Sequence, residues 1–152
     1  MKLIELNRHD LSLAYPIGHA FLKEAGRRPF NEESFYQFWR FLLENNIGKI
    51  YGLVEYDTDA KAFRAIGLLG ATFSPDPYTG CKAAAEQFWY VTPEHRKSGV
   101  GLQLLDQFEK DAKESNCEEL VMCHFLHMGA GLERVFEARG YYAFEKIYKK
   151  DL

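Results

Sequence analysis

The sequence predicts a single α/β domain, and three observations support this prediction. The chain has 152 residues, a length that suits one hydrophobic core and one domain over residues 1–152. Hydrophobic residues make up 47% of the chain and charged residues 27%, a balance typical of globular proteins and not of disordered ones. Apolar residues recur at strand spacing in some segments and at helix spacing in others, so both kinds of element are expected.

The first part of the chain predicts one strand and two helices. Lys2 to Leu6 alternates in polarity, as a strand does. The first helix either begins near Tyr15 or is kinked at Pro16, because proline does not fit inside a regular helix. The second helix begins after Asn31, a typical N-cap residue. Its amphipathic stripe is the clearest in the chain and consists of Phe35, Phe38, Trp39, Leu42 and Leu43.

Strands are predicted for the middle of the chain. Lys49 to Tyr56 and Ala62 to Phe73 are joined by the polar residues 57–61, which are typical of a hairpin connection. Ala83 to Val91 predicts the fourth strand, and its last part is apolar on both faces, as in the centre of a sheet.

The last third of the chain predicts two more helices and two more strands. A helix from Leu102 to Ser115 has an apolar face made of Leu104, Leu105, Phe108 and Ala112. Glu119 to His124 predicts the fifth strand. The final helix contains Leu132, Val135 and Phe136, with Gly140 as the C′ residue that follows it, and Tyr142 to Tyr148 predicts a closing strand.

The connection between the fourth strand and the following helix is basic and contains two glycines: Arg96-Lys97-Ser98-Gly99-Val100-Gly101. Free N–H groups and the positive end of the helix dipole meet at such a helix start and favour anions. Gly99 and Gly101 remove side chains that would keep a pyrophosphate away from the backbone. The stretch is neither a Walker loop nor a complete dinucleotide-binding fingerprint, since it lacks Gly-Lys-Ser/Thr and a third glycine.

The motif Arg-x-x-Gly-x-Gly, after a strand that ends at Val91, resembles the coenzyme A loop of the GNAT superfamily of N-acetyltransferases. Leu132 to Tyr141 resembles the last helix of that family, and the resemblance is strongest from Ala83 to Tyr148. It implies the GNAT fold, a single mixed and mostly antiparallel sheet flanked by helices. It also implies direct transfer of an acetyl group from acetyl-coenzyme A to an amine, either of a small molecule or of a protein.

The resemblance also implies which residues hold the coenzyme. Backbone groups of Tyr90 and Val91 would pair with the pantetheine arm. The pyrophosphate would bind to backbone N–H groups, with help from the Arg96 side chain, although in this family that position often packs locally. For Lys97 and Ser98, simple solvation is the alternative. The residues implied on the loop are Arg96, Lys97, Ser98, Gly99, Val100, Gly101 and Leu102.

Two residues are candidates for the base that deprotonates the amine. Glu86 lies within the apolar fourth strand, where desolvation would raise the pKa of its carboxyl. A structural ion pair or a polar edge of the strand is the alternative for Glu86. His124 ends the fifth strand, where the resemblance to the ribosomal-protein N-terminal acetyltransferases implies a base. For His124 the alternative is a polar residue that closes a strand, and the sequence leaves the choice open.

Two positions in the chain depart from the family pattern. Many members have a tyrosine in the last helix that protonates the coenzyme thiolate, and here that position is Phe136. An asparagine often found seven residues earlier is Gly129. These two residues favour an alternative function, a GNAT-fold protein that binds coenzyme A or a protein partner without efficient turnover.

Charge, cysteines and hydropathy limit the partners and the compartment. A net charge of −3 argues against nucleic acid, and no apolar run approaches the roughly 20 residues that span a membrane. The three cysteines cannot all pair and no segment resembles a signal peptide, so we expect a reducing cytoplasm. We expect no metal, because Cys123, His124 and His127 have poor ligand geometry along a strand.

Arg27 and Arg28, between the first two helices, would bind an acidic acceptor or are simply solvated. The sequence leaves open whether the protein is a monomer or a homodimer.

Overall fold

The computed structural model describes residues 1–125 and 131–152, which contain one five-stranded sheet in the order β1-β2-β3-β4-β5. The first four strands are antiparallel to their neighbours, and β5 is parallel to β4. The predicted mixed, mostly antiparallel sheet is therefore confirmed. Its strands are β1 Lys2–Glu5, β2 Gly48–Asp57, β3 Ala62–Pro75, β4 Lys82–Val91 and β5 Glu119–Val121.

Four α-helices flank this sheet in the described part of the chain: α1 Tyr15–Glu24, α2 Glu32–Glu44, α3 Val100–Glu114 and α4 Leu132–Ala138. Pro16 lies in the first turn of α1, where its missing N–H is not needed, so the helix begins at Tyr15. The Asn31 side chain caps α2 by accepting a hydrogen bond from the Ser34 amide at 2.8 Å. Both helix starts follow the sequence prediction.

The sheet is buried on both faces. Leu104, Leu105 and Phe108 of α3 are fully buried against one face. Trp39 of α2 packs on the other face together with residues of α1. Neighbouring residues of the strands alternate between the two clusters, because successive side chains in a strand point to opposite sides.

A buried carboxylate fixes α3 to β2. Asp111 is 7% exposed and accepts hydrogen bonds from Lys49 Nζ at 2.7 Å and from the Tyr51 hydroxyl at 3.1 Å. Gln107 donates a third hydrogen bond from the helix itself, at 2.6 Å. Because a buried carboxylate needs such partners, the network sets the position of α3 on the sheet and therefore of its N-terminus.

The ladder between β4 and β5 is short, and β4 contains a bulge at the point where this ladder ends. The two strands pair from Ala83↔Glu119 to Ala85↔Val121. On the other side of β4, Gly70 faces Phe88 and Ala71 faces Glu86, so that Gln87 is the extra residue of a β-bulge. Beyond Ala85, the described residues add no strand pairing on the β5 side. In the described part of the chain, the edge of β4 from residue 86 to residue 91 therefore has no strand partner, and we call it the open edge of β4.

Two predictions for the C-terminal third were wrong. The fifth strand ends at Val121 and not at His124, because β4 is bulged at the point where the ladder would continue. Residues 142–148 form no strand. Their apolar side chains do not pack on the sheet, since Tyr142, Phe144, Ile147 and Tyr148 are 78–84% exposed.

Candidate functional site

The loop between β4 and α3 leaves several backbone amides at the start of a helix without an acceptor in that helix. Gly99 is the N-cap residue, and the first helical hydrogen bond runs from the Gln103 amide to the Gly99 carbonyl at 3.0 Å. The amides of residues 100–102 come before this bond and have no acceptor within the helix. α3 is 15 residues long, so the dipole of a full helix adds to the attraction for an anion at this point.

The two glycines of the loop serve different purposes. Gly99 has φ +88° and ψ −5°, the left-handed region, and a Cβ atom built there would meet nothing within 4 Å. The space in front of it is therefore open to a ligand. A Cβ atom on Gly101 would lie 3.3 Å from the Trp89 ring, so Gly101 allows the first turn of α3 to pack closely on β4.

The Arg96 side chain packs locally. Its Nη2 donates to Glu24 Oε2 at 2.6 Å, and its Nε donates to the Val91 carbonyl at 3.0 Å. The Tyr90 hydroxyl donates to the same carboxylate oxygen at 2.7 Å. The hydrogen bond from Arg96 is the main reason why the pKa of Glu24 lies below its ordinary value. Arg96 thus links the end of α1 to β4, and its guanidinium is already engaged by protein groups.

We expect Glu24→Gln and Arg96→Gln to lower the free energy of unfolding by about 0.5–1 kcal/mol each, since both side chains are about one-third exposed or more and solvent weakens the pair. The double variant should lose clearly less than the sum, because either substitution breaks the same contact. Urea unfolding of the four proteins measures this coupling. Strictly additive losses would mean that the two side chains act independently.

Tyr90 and Val91 lie at the open edge of β4, past the bulge. Their partners on β3 are Leu68 and Gly67. The Val91 carbonyl already accepts from Arg96, but a carbonyl oxygen has a second lone pair. Burial, and then the hydrogen bond to Glu24, raise the pKa of the Tyr90 hydroxyl to about 12.

Glu86 is a buried carboxyl group at the point where β4 and β5 separate. It is 8% exposed, and its Oε2 accepts a hydrogen bond from the Cys123 amide at 2.9 Å. None of the described cations forms an ion pair with it, so the structure gives no support to the structural ion pair considered above. Burial raises the pKa of Glu86 to about 7, and the Cys123 hydrogen bond opposes that rise only in part.

His124 lies immediately after Cys123, whose amide binds Glu86, so the two candidate bases lie in the same part of the fold. The Nδ1 atom is 3.3 Å from the Phe125 carbonyl oxygen, and Nε2 is 3.5 Å from Glu133 Oε1 on α4. The imidazole ring stacks on Phe136 with a centroid distance of 6.2 Å and an interplanar angle of 26°. The side chain is 17% exposed.

Phe136 belongs to an aromatic cluster between α4 and β4. Its ring centroid lies 6.1 Å from Trp89 and 5.6 Å from Tyr141. The Tyr141 hydroxyl donates to Glu109 Oε1 on α3 at 3.1 Å and is therefore directed to another helix. Trp89 Nε1 is buried and has no hydrogen-bond partner among the described residues.

A second aromatic group was not predicted from the sequence. The Phe21 ring of α1 lies 5.7 Å from both Tyr90 and Phe125. The Arg27 guanidinium lies 5.7 Å from the centre of the Phe125 ring, and both Arg27 and Arg28 are exposed. These contacts join residues far apart in the chain, so no local sequence pattern predicts them.

Within the described residues, the other candidate features add no side chain to this site. Cys81, Cys117 and Cys123 are free thiols. In the described ranges, no group of histidine, cysteine or acidic residues could hold a metal ion, and no helix is long and apolar enough to cross a membrane. A cleft of about 300 Å³ is lined by residues of β1, α2 and β2 and includes none of the candidate residues. His127 and Gly129 lie outside the described residues.

Comparisons with solved structures show the same fold in several acetyltransferases. A ribosomal-protein-alanine N-acetyltransferase from Brucella melitensis biovar Abortus 2308 is 22% identical, with a TM-score of 0.68 and 100% of both chains covered. A predicted acetyltransferase from Clostridium acetobutylicum, crystallised with acetyl-CoA, is 18% identical, with a TM-score of 0.75 and coverage of 99% of this chain and 95% of that one.

AAC(6')-Iy, in complex with a bisubstrate analogue, is 17% identical, with a TM-score of 0.73 and coverage of 99% of this chain and 98% of that one. A search of curated protein sequences finds no relative. The sequence profile of the acetyltransferase (GNAT) family matches residues 11–141, which is most of the chain. The protein therefore belongs to the acetyltransferase (GNAT) family, whose members use acetyl-coenzyme A.

Proposed function

We propose that this protein is an N-acetyltransferase that transfers the acetyl group of acetyl-coenzyme A directly to an amine. The observation that carries the proposal is the environment of Glu86, a buried carboxyl at the open edge of β4 whose pKa is raised to about 7. A group with such a pKa is suited to proton transfer near neutral pH.

The residues at the α3 start fit the coenzyme. The amides of residues 100–102 and the open space at Gly99 suit a pyrophosphate, and the backbone of Tyr90 and Val91 suits an extended arm along β4. Lys97 and Ser98 are exposed on the same loop and would lie beside the phosphates. Arg96 would act indirectly, because its side chain already binds Glu24.

Bound acetyl-coenzyme A supplies an activated acyl group, and the protein's own residues supply the proton transfers. An amine attacks only when it is neutral, so Glu86 would accept the proton that the acceptor ammonium loses. Glu86 keeps its contact with the Cys123 amide in either protonation state, because a carboxyl oxygen still accepts that hydrogen bond. The buried position keeps the carboxyl group from solvent until the acceptor is bound.

The proposal also covers the oligomeric state, the cellular compartment and the acceptor of the protein. A single domain over residues 1–152 would work as a monomer or a homodimer, in the cytoplasm, where free thiols are normal. The acceptor would be a small-molecule amine or a protein amine, and no part of the proposal involves nucleic acid or a membrane.

Two measurements test the proposal. Acetyl-coenzyme A at a hundredfold excess over Kd should stabilise the fold by about 2.7 kcal/mol. Release of free thiol from acetyl-coenzyme A should then depend on an added amine, in a panel of polyamines, amino sugars and peptides with free N-termini. A coenzyme-induced shift without amine-dependent thiol release would favour the alternative, a GNAT-fold protein that binds coenzyme A or a protein partner without efficient turnover, for which Phe136 in place of a tyrosine is the supporting observation.

A further inference from the structure

The surroundings of His124 suit a proton donor better than a proton acceptor. Nδ1 faces the Phe125 carbonyl oxygen at 3.3 Å, and Nε2 faces the Glu133 carboxylate at 3.5 Å. Both neighbours accept hydrogen bonds and neither can donate one. Only the imidazolium form, with a proton on each nitrogen, satisfies both contacts.

The position of His124 suits a role in the reaction. Cys123, the residue before it, binds Glu86 through its amide, so His124 directly follows the residue that contacts the proposed base. Its ring is held by stacking on Phe136, whose other neighbour is Trp89 on β4. The histidine is therefore fixed between α4 and the end of β5, beside the gap where β4 and β5 separate.

Glu133 interacts only weakly with the proton on Nε2 of His124. Its side chain is 63% exposed, and the 3.5 Å separation is longer than a strong charged hydrogen bond. A partner so exposed to water can move aside at little cost. The Nε2 proton is thus available to a developing anion in the gap, whereas Nδ1 stays directed to the backbone.

We infer that His124 is the catalytic acid that protonates the departing sulfur of the coenzyme, with Glu133 as a positioning residue that keeps the imidazolium in place. The inference rests on the proposed acetyl transfer. The amine nitrogen forms a bond to the acyl carbon as the carbon–sulfur bond breaks, and the electron pair stays on sulfur. His124 gives that sulfur a proton and becomes neutral. The proton that the new amide nitrogen loses restores the imidazolium, and Glu86 releases to solvent the proton that it took from the ammonium, so both groups regain their starting charge.

The test compares kcat of His124→Gln, Phe136→Tyr and the double variant, at saturating acetyl-coenzyme A and amine. His124→Gln should lower kcat by about 10²–10⁴-fold and leave the KM for the coenzyme within about threefold. Phe136→Tyr alone should change kcat by less than about tenfold. In the double variant the tyrosine hydroxyl replaces the lost acid, and kcat should rise at least about tenfold above that of His124→Gln. A phenol cannot replace a lost base or a lost structural contact, so the rescue identifies the acid.

Glu133→Gln provides a second route, because its exposed side chain can be changed without disturbing the core. It should lower kcat by about threefold or more at unchanged Tm, and Phe136→Tyr should restore the rate. The matched control is His19→Gln, which breaks another histidine–glutamate pair, with Glu32 at 2.9 Å, and should leave kcat unchanged.

Each outcome decides the matter. The inference is overturned if His124→Gln keeps kcat within threefold of the parent, or if Phe136→Tyr does not raise the rate of that variant. Should His124→Gln fail to fold, Glu133→Gln decides in the same way, by loss and rescue or by their absence. Equal thiol release by the parent and the His124 variant overturns this inference alone, whereas a parent that binds coenzyme and releases no thiol overturns the proposed function together with it.

Discussion

Replacement of Glu86 by glutamine is expected to lower kcat/KM by about 10²–10⁴-fold, the range typical for the loss of a general base. Glutamine has nearly the same shape, and its carbonyl oxygen can still accept the hydrogen bond from the Cys123 amide. The fold should therefore survive, while the group that accepts the proton is lost. Thiol release at several amine concentrations measures the change.

The pH dependence of kcat/KM and of stability provides an independent test of the role of Glu86. Only the ionised carboxyl accepts a proton, so kcat/KM of the parent should rise with pH through about 7, and Glu86→Gln should remove that limb. The free energy of unfolding should change with pH in the direction opposite to that of kcat/KM. Because burial raises the pKa from 4.5 to about 7, the native state keeps a proton that the unfolded state has released between these values. Stability therefore falls as pH rises across this interval, and the glutamine variant should lose that dependence.

Glu118→Gln is the matched control for Glu86→Gln. Glu118 also accepts a backbone amide hydrogen bond between β4 and the β5 region, from Lys82 at 3.2 Å, but its side chain is exposed. Its loss should leave kcat/KM unchanged. Near-parent rates for Glu86→Gln, with the limb near pH 7 still present, would show that Glu86 is not the base.

Local signals account for the parts of the fold that the sequence predicted. Asn31 caps α2, Pro16 lies in the first turn of α1, and Gly99 adopts a left-handed conformation just before α3. In each case one residue type is favoured by the backbone at that point, and the neighbouring apolar pattern agrees with it. Glu86 was also recognised from a local signal, because a carboxylate is unusual within an apolar strand.

The wrong or missing predictions depend on contacts between distant residues. The early end of β5 follows from the bulge at Gln87 in β4, which no pattern within residues 119–124 reveals. Arg96 binds Glu24, 72 residues away, and the Cys123 amide binds Glu86, 37 residues away. Residues 142–148 are rich in aromatic and β-branched residues, as strands are, but lie outside the sheet, so residue preference alone did not decide their structure.

The second large effect is expected for Gly99→Asp, which should abolish the stabilisation of about 2.7 kcal/mol by a hundredfold excess of acetyl-coenzyme A. An added Cβ atom at Gly99 meets nothing within 4 Å, so the aspartate fits in the space left for the ligand. Its carboxylate would compete for the amides of residues 100–102 and repel the pyrophosphate. At φ +88° the substitution also costs about 1–2 kcal/mol of backbone strain, a cost that aspartate and asparagine tolerate better than most residues.

Two controls separate charge from strain in this prediction. Gly99→Asn has the same size and the same strain without the charge, and it should keep part of the coenzyme-induced shift in Tm. Gly80→Asp places an aspartate at φ +74°, again with nothing within 4 Å, on the loop between β3 and β4, and it should keep the whole shift. If Gly99→Asp is stabilised by acetyl-coenzyme A as strongly as Gly80→Asp is, then the pyrophosphate does not bind at the start of α3, and the coenzyme must lie elsewhere on the protein.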